Sequence, residues 1–209
     1  MDNFKTEQEQ FWAGDFGKEY AERNKGAKLL SSNIAMFTEV LSHTVAVNSV
    51  IEFGANIGFN LLAIKQILPE IELSAIEINQ SAAAELERIK GMNIYHQSIL
   101  DFSPDYQRDL VLIKGVLIHI NPDELGRAYD LLYRSSKRYI CIAEYYNPTP
   151  VAINYRGHKD KLFKRDFAGD ILDRFDDVRL IKYGFVYHRD NNFPQDDITW
   201  FLLEKAAGQ

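Results

Sequence analysis

A short apolar stretch that ends in an acid and a two-glycine turn constrains the fold of this chain more than any other feature. Residues 50–53 are apolar apart from Glu52, which is typical of a buried strand, and Asn60 opens a helical pattern. Gly54 and Gly58 permit backbone conformations and close approaches that a Cβ would obstruct. The pattern predicts a strand, a turn and a helix whose backbone comes close to a bound small molecule.

The glycine turn differs from the dinucleotide fingerprint Gly-x-Gly-x-x-Gly. That fingerprint has a further glycine, which lets a pyrophosphate sit on the helix N-terminus. Here the spacing is Gly-x-x-x-Gly, and an acid two residues before the first glycine suits a cationic ligand better than a pyrophosphate. A nicotinamide oxidoreductase is therefore an alternative that the missing glycine disfavours.

Length and composition predict one globular domain. The 209 residues, of which 46% are hydrophobic and 26% are charged, are enough for one sizeable core. We expect a single domain over residues 1–209, with an N-terminal helical lid over 1–45 and a Rossmann-like core over 46–209. The sequence has no signal-peptide pattern and no apolar stretch near the ~20 residues of a membrane span, which predicts a cytoplasmic protein with no membrane partner.

Charge and cysteine content exclude further classes of protein. A net charge of −6 disfavours nucleic acid as the main partner, because such binders usually carry a basic surface. The lone Cys141 lies in an apolar run and cannot form an internal disulfide, so we expect it to pack as a small core residue.

Strand-like and helix-like segments alternate from about Asn48 onward. This alternation predicts an α/β fold with a mostly parallel, seven-stranded sheet and helices on both faces. Strands are expected at 49–53, 71–77, 92–97, 109–114, 138–145, 178–187 and 198–203. Helices are expected at 59–68, 81–90, 122–135 and 166–175. A turn with two prolines and a polar stretch follow the fifth strand and interrupt the pattern.

A second acid, Glu77, ends the next predicted strand nineteen residues after Gly58. An acid about 20 residues beyond such a turn is placed to accept hydrogen bonds from a ribose diol. The alternative is a solvated carboxylate at the strand end, but the spacing favours a ligand contact.

The motif Glu-x-Gly-x-Asn-x-Gly at residues 52–58 resembles the first motif of the class I S-adenosylmethionine (SAM)-dependent methyltransferases, which have a Rossmann-like fold. The resemblance implies SAM as cofactor and S-adenosylhomocysteine (SAH) as product. It also implies that the turn after the third strand supplies a polar side chain, Ser98, and an apolar wall, Ile99, to the adenine; the family usually has an acid where Ser98 stands. The implied cofactor contacts of the strand ends are Glu52, Gly54, Asn56, Gly58, Glu77, Ile78, Ser98, Ile99, Lys114, Gly115 and Val116.

Residues 114–119 follow the fourth predicted strand. The ligand crevice of a parallel sheet lies beyond the carboxyl ends of its strands, so residues 114–116 should lie beneath the methionine part of that cofactor. His119 follows at the rim, where its imidazole is a candidate to take a proton from a hydroxyl or an amine; a packing histidine is an equal alternative. The five histidines lack metal-ligand spacing, so no metal is predicted.

The N-terminal segment is rich in aromatic residues separated by two glycines. Thr6 and Glu9 form a capping-box pattern, and Gly14 and Gly17 allow the backbone to bend, as expected of a lid that folds over the cofactor. An amphipathic helix packed on the sheet is the alternative. The candidate cofactor contacts of this segment are Trp12, Tyr20 and Arg23.

Three segments together resemble a narrower family, the methyltransferases associated with pseudaminic acid biosynthesis. They are Glu-Gln-x-x-Phe-Trp-x-Gly-x-Phe-Gly-x-x-Tyr-x-x-Arg-Asn at 7–24, Glu-Phe-Gly-Ala-Asn-Ile-Gly at 52–58 and Lys-Gly-Val-Leu-Ile-His-Ile at 114–120. The likeness covers nearly the whole chain. It implies an acidic nine-carbon sugar, or a precursor of one, as substrate.

A basic stretch follows the fifth predicted strand in this otherwise acidic protein. Its Arg156 or Arg165 is a candidate contact for a carboxylate or phosphate of an anionic sugar, and a solvated helix surface is the alternative. Tyr145, Tyr146 and Tyr155 would form an aromatic, hydroxyl-bearing wall for a sugar, or simply pack.

The sequence as a whole predicts a SAM-dependent methyltransferase that acts on an oxygen or nitrogen of a small anionic sugar metabolite. A tRNA or protein methyltransferase is one alternative, and it would need a continuous basic surface at the crevice mouth. A non-catalytic SAM-binding pathway protein is another, and it would bind the cofactor without turnover. The oligomeric state is not predicted.

Overall fold

The computed structural model describes residues 4–23 and 26–206, and the side chains of residues 22, 23, 27 and 158–160 lie outside that description. The strands of the described residues are β1 (Ser49–Phe53), β2 (Glu72–Glu77), β3 (Met92–His96), β4 (Arg108–Lys114), β5 (Ser136–Glu144), β6 (Val151–Tyr155), β7 (His158–Lys164), β8 (Val178–Val186) and β9 (Ile198–Lys205). The α-helices are α1 (Glu7–Ala13), α2 (Asp15–Arg23), α3 (Ala27–Leu41), α4 (Phe59–Ile67), α5 (Gln80–Leu86), α6 (Leu125–Ser135) and α7 (Phe167–Arg174).

Seven of these strands form one sheet in the order β3-β2-β1-β4-β5-β9-β8. The neighbours among β1 to β5 pair in parallel, and β9 runs antiparallel to both β5 and β8. The predicted mostly parallel, seven-stranded sheet is confirmed. The strands β2 and β3 lie on one side of β1, whereas β4 and β5 lie on its other side. The strand order therefore reverses between β1 and β4, and a crevice forms where their carboxyl ends diverge.

Alternate residues of the central strands face opposite layers of helices. Leu110 and Leu112 of β4 pack in a core with α3 and α4, whereas Val111 and Ile113 pack in a second core with α6 and α7. All four side chains are fully buried. Burial on both faces explains why this strand reads as a continuous apolar run, and each such side chain contributes roughly 1.5–3 kcal/mol to folding.

Side-chain caps fix the starts of the helices that border the crevice. Thr6 and Glu9 form the predicted capping box of α1, each side chain accepting a backbone N–H of the other residue. Asn79 caps α5 by accepting the N–H groups of Ser81 and Ala82. Asn121 accepts the N–H of Asp123, and the predicted helix over 122–135 begins with a 3₁₀ turn before α6.

The polar stretch after β5 is an antiparallel hairpin of β6 and β7, which we predicted neither as strands nor as a hairpin. Tyr155 pairs with His158 across a two-residue turn, in which Arg156 and Gly157 have φ of 49° and 86°. Two successive residues with positive φ match the twist of a hairpin, and an Arg-Gly turn signals it less clearly than Asn-Gly. The alternative interpretation of this stretch as helix surface is therefore wrong. The predicted helix over 81–90 is also shorter, because α5 ends at Leu86.

Among the described residues, no helix combines the length and the apolar character that crossing a membrane requires.

Candidate functional site

A cavity of about 220 Å³ lies at the carboxyl ends of the parallel strands, with residues of α1 and α2 on its other side. The turns after β1, β2, β3 and β4 all contribute to its lining, as expected for a crevice beside the point where the strand order reverses. The predicted residues that it brings together are Trp12, Tyr20, Gly54, Asn56, Glu77, Ile78, Ser98, Ile99, Lys114, Gly115, Val116 and His119.

The two glycines of the β1–α4 turn are needed for steric reasons. Gly54 has a φ of 76°, and a Cβ there would lie 2.6 Å from Cγ2 of Val116. Gly58 has a φ of 83° at the start of α4, and a Cβ there would lie 2.8 Å from Cδ2 of Leu86. Gly58 thus lets α4 and α5 approach each other and does not line the cavity.

Glu77, the last residue of β2, is held in place by backbone groups. One carboxylate oxygen accepts the N–H of Asn56, and the other accepts the N–H of Asn79, both at 2.7 Å. The carboxyl is buried, and burial raises its pKa while the backbone donors oppose that rise. Glu77 lines the cavity, and each carboxylate oxygen keeps lone-pair capacity for a further donor such as a hydroxyl.

Glu52, one strand over, lies beneath the cavity and does not line it. Its side chain is fully buried, and one oxygen accepts a hydrogen bond of 2.6 Å from the amide of Asn60. The other oxygen has no hydrogen-bond partner among the described residues. Burial raises the pKa of Glu52 to about 8. Asn60 and Lys114 line the cavity and Glu52 does not, so a direct cofactor contact of Glu52 stays a prediction.

Lys114 supplies the one lysine or arginine side chain of the described cavity lining. Burial lowers the pKa of its amine, while the carboxylates of Glu52, Asp196 and Glu144 oppose that shift. The amine of Lys114, at the end of β4, is therefore within electrostatic range of three carboxylates. An ammonium so placed can pair with a ligand carboxylate.

Glu144 fixes the loop that follows β4, a role that no sequence pattern indicated. Its Oε1 accepts the N–H groups of Val116 and Leu117, both at 2.9 Å, and so ties the end of β5 to the cavity floor. Burial raises the pKa of this carboxyl to about 7.

The turn after β3 places Ser98 and Ile99 in the cavity wall. The Ser98 hydroxyl donates to Oε1 of Glu9 and accepts the N–H of Leu100 at 3.0 Å. Ile99 gives the wall an apolar surface beside Ile78. The wall that we predict for an adenine is therefore present, but the hydroxyl proton of Ser98 points to Glu9, and its predicted contact with a ligand stays a prediction.

His119 lies in a 3₁₀ turn after β4 and is buried at the cavity edge. Its Nδ1 lies 2.6 Å from the carbonyl oxygen of Lys161 in the basic hairpin, the β6–β7 pair. A carbonyl only accepts, so Nδ1 carries the proton and Nε2 of the neutral ring is an acceptor. Burial lowers the pKa of His119 to about 4, which keeps the ring neutral near pH 7.

Asn79 joins the N-terminal helix pair, α1 and α2, to the cavity floor. Its amide donates toward the carbonyl oxygens of Trp12, Ala13 and Gly14 at 3.1, 3.2 and 3.2 Å, at the end of α1. A Cβ on Gly17 would lie 2.8 Å from the amide nitrogen of Asn79, so this glycine allows α2 to pack close to Asn79.

Aromatic rings fill the space between the helix pair and the basic hairpin. The ring centroid of Trp12 lies 4.5 Å from that of His119 and 5.3 Å from that of Tyr20. Tyr155 of β6 lies 5.0 Å from His119 and 5.9 Å from Phe16. These contacts pack Trp12 and Tyr20, both of which line the cavity, against each other and against His119.

Several predicted contacts lie away from the cavity lining. Tyr145 is half-buried, Tyr146 is exposed, and Tyr155 packs against His119. Arg156 occupies the turn of the basic hairpin, and Arg165 pairs with Asp170 at 2.7 Å. The side chain of Arg23 lies outside the described residues. The substrate contacts predicted for the tyrosines and arginines of this group stay predictions.

Other cavity residues were absent from our expectations. Asn79 carried a readable signal, because an asparagine before a helical pattern is a common cap. Glu9 was readable as a capping residue and not as part of a cavity, and Asp196 follows β8 in a polar loop with no distinguishing pattern. The polar lining residues that sequence reasoning missed are Thr6, Gln8, Glu9, Asn33, Asn60, Asn79, Asn121 and Asp196.

Comparisons with solved structures find similar folds in methyltransferases. The chain is similar to the plantazolicin methyltransferase BpumL, solved with SAH and a pentazolic desmethylPZN analog, with a TM-score of 0.65 at 15% identity over 95% of this chain and 94% of that one. It is similar to the 1,6-didemethyltoxoflavin-N1-methyltransferase of Burkholderia thailandensis, solved with SAH, with a TM-score of 0.69 at 13% identity over 99% and 93%. Magnesium protoporphyrin IX methyltransferase of Synechocystis PCC 6803, also with SAH, gives a TM-score of 0.67 at 12% identity over 95% and 98%.

No family profile matches the sequence, and no curated protein is significantly similar to it. The likeness to the pseudaminic acid-associated family therefore stays a prediction. At 12–15% identity the structural likenesses establish the fold and nothing finer. The chain has the Rossmann-like fold of class I SAM-dependent methyltransferases.

Proposed function

We propose that the protein is a SAM-dependent methyltransferase that transfers a methyl group to an oxygen or nitrogen of a small molecule. The observation that carries this proposal is Glu77, a carboxylate set at the end of β2 by two backbone N–H groups and facing the cavity beside the Gly54 turn. A pre-positioned acid at this point of this fold suits a ribose diol.

The residues of the cavity fit the three parts of SAM. The ribose would bind Glu77, and the adenine would lie against the apolar wall of Ile78 and Ile99. The methionine part would lie toward Gly115 and Lys114, whose ammonium suits its carboxylate. This division follows from the lining, which offers the apolar side chains of Ile78 and Ile99 toward β3 and the ammonium of Lys114 toward β4.

SAM, when bound, supplies an electrophilic methyl group, so the protein needs to contribute orientation, local charge and exclusion of water. Trp12 and Tyr20 cover the cavity from the N-terminal helix pair. Glu144 holds the backbone of Val116 and Leu117 and so fixes the floor beneath the reacting groups.

His119 is the proposed proton acceptor. Its Nδ1–H is held by Lys161, which leaves Nε2 as the atom to take a proton from an acceptor hydroxyl or amine. With a pKa of about 4 the ring is a weak base, so it would act on a proton that is already acidified by methyl transfer. Activity should rise with pH through about 4 and then reach a plateau, because only the neutral ring accepts.

For the acceptor we propose an acidic nine-carbon sugar or a precursor, on the likeness to the pseudaminic acid-associated family. Arg156 and Arg165 are the proposed contacts for its carboxylate, because the Lys114 ammonium is assigned to the methionine carboxylate of SAM. The described cavity lining also carries Glu9, Glu77 and Asp196. An anionic acceptor would therefore bind with its acidic group directed away from these acids, toward Arg156 and Arg165.

The alternatives of a tRNA or protein substrate call for a continuous basic surface. Around the described cavity, cations pair with acids instead: Lys161 lies 3.2 Å from Glu7, and Arg165 lies 2.7 Å from Asp170. A small molecule is the better-supported partner.

Calorimetric titrations with SAH and with NAD test the cofactor. We expect SAH to bind at micromolar strength and NAD to give no measurable heat, because the turn lacks the pyrophosphate site. The reverse result would make the protein an oxidoreductase of the same general architecture.

Incubation with labelled SAM and intermediates of nonulosonic acid synthesis, followed by mass spectrometry, tests the acceptor. We expect one methylated product, and a His119→Asn variant should turn over about 100-fold more slowly with unchanged SAH affinity. Asparagine can keep the donor to Lys161 but has no proton acceptor of comparable basicity. Cofactor binding without methylation of any intermediate would favour the non-catalytic alternative or another acceptor class.

A further inference from the structure

Glu9 is a cavity carboxylate that the proposed mechanism does not use. It belongs to α1, is 8% exposed, and lines the same cavity as Ser98, Ile99 and Leu100 of the turn after β3. A carboxylate with so little solvent needs hydrogen-bond donors to offset the cost of its burial.

Donors fix the orientation of the Glu9 carboxylate. Its Oε2 accepts the N–H of Lys5 at 2.6 Å and the N–H of Thr6 at 3.0 Å, as part of the α1 capping box. Its Oε1 accepts the hydroxyl of Ser98, whose own oxygen takes the N–H of Leu100. Oε1 is thereby turned toward the β3 end of the cavity and keeps lone-pair capacity for another donor.

The chemistry of the lining decides which part of SAM meets Oε1. With the ribose at Glu77, the base and the methionine must extend to opposite sides of β2. The β4 side has Lys114 and suits a charged amino acid group, whereas the β3 side has Ile78 and Ile99 and suits a flat base. The exocyclic amine of adenine is a donor at the rim of that base, and it needs an acceptor there.

We propose that Glu9 accepts a hydrogen bond from the exocyclic amine of the cofactor's adenine, so that a residue of the N-terminal helix pair recognises the base. This proposal rests on the proposed function, since it requires an adenosyl cofactor. Because Glu9 sits on α1, recognition of the base and docking of that helix over the cavity are the same event.

The test compares SAH with S-inosylhomocysteine, in which a carbonyl replaces the amine and faces the carboxylate with a second acceptor. In calorimetric titrations of the full chain we expect SAH to bind at least about 10-fold more tightly. In Glu9→Gln the preference should fall below about 3-fold, because the glutamine oxygen keeps the capping box while its amide can donate to the carbonyl of the inosyl compound.

Two variants make the result specific. Glu7→Gln removes the same charge from the same helix at a side chain that is 87% exposed, and it should keep the full preference. Ser98→Ala removes the hydroxyl but leaves the carboxylate, so it should also keep the preference, whereas a base read by Ser98 would lose it. Thermal unfolding of Glu9→Gln within a few degrees of wild type would show that the fold persists.

The outcomes separate this proposal from the proposed function. Tight SAH binding with an equal affinity for S-inosylhomocysteine, or with a preference that Glu9→Gln leaves intact, would overturn the role of Glu9 and leave the cofactor assignment standing. No binding of SAH would overturn both.

Discussion

The floor of the cavity and the helix pair above it hold their polar groups by different means. In the floor, Glu77 receives backbone N–H groups from Asn56 and Asn79, so its position follows from the course of the main chain. Above it, the helix pair is joined through side chains of distant residues, such as Ser98 to Glu9. We conclude that the positions of polar groups in the floor follow from the fold. The position of the N-terminal helix pair, which covers the cavity, depends on a few side-chain contacts that single substitutions can remove.

The largest expected effect comes from the floor. Glu77→Ala should weaken SAH binding about 100-fold, since it removes the proposed acceptor of the ribose hydroxyls and leaves the N–H groups of Asn56 and Asn79 without their partner. Calorimetry would measure the loss. Glu72→Ala, at the exposed opposite end of the same strand, is the control and should bind SAH normally. Equal losses in both variants would mean that Glu77 matters only for stability.

The buried Glu52 beneath the floor should make the stability of the protein depend on pH. Its pKa is raised to about 8, so the folded state binds a proton that the unfolded state has lost above about 4.5. Stability should therefore fall as pH rises from about 4.5 to 8. Glu52→Gln removes this cost, and its advantage over wild type in thermal unfolding should grow by about 1–3 kcal/mol, or several degrees, between pH 5 and pH 8. A pH-independent difference would show that Glu52 does not titrate in this range.

Asn79 sharpens the comparison, because it belongs to both regions. Asn79→Ser keeps an oxygen that can cap α5 but loses the amide that donates to the end of α1. We expect SAH affinity to fall about fivefold and the fluorescence of Trp12 to shift to the red, with little loss of stability. The measurement is made in a Trp200→Phe background, which leaves Trp12 as the single tryptophan.

Asn79→Ala, which also loses the cap, serves as the matched variant. It should add about 1 kcal/mol of destabilisation without weakening SAH binding further. If serine and alanine weakened binding only in proportion to stability, Asn79 would be a helix cap and nothing more.

The smallest effect on SAH binding is expected from the exposed ion pair between the N-terminal helix pair and the basic hairpin. Lys161→Met removes the ion pair with Glu7, whose side chain is 87% exposed, and keeps the Lys161 carbonyl that holds His119. Exposed pairs contribute little, so SAH affinity should change less than about twofold. A tenfold loss of SAH affinity would mean that the N-terminal helix pair depends on this ion pair to cover the cavity.

The same contrast explains what the sequence could reveal. The strands around Gly54, the spacing of Glu77 and the apolar run of β4 are local or periodic patterns, and each was predictable. The cavity role of Glu9 and the contact of Asn79 with α1 depend on residues about 65 to 90 positions apart, which no local pattern encodes. The basic hairpin was only weakly predictable, because an Arg-Gly turn is a poor signal for a hairpin. The contact between Lys161 and His119 depends on that hairpin.

A crystal structure of the protein with SAH would decide whether Glu77 binds the ribose. We expect the ribose hydroxyls within hydrogen-bonding distance of the Glu77 carboxylate, with the adenine between Ile99 and Glu9 and the amino acid part toward Lys114. SAH bound elsewhere, or a cavity that stays empty at saturating SAH, would contradict this expectation.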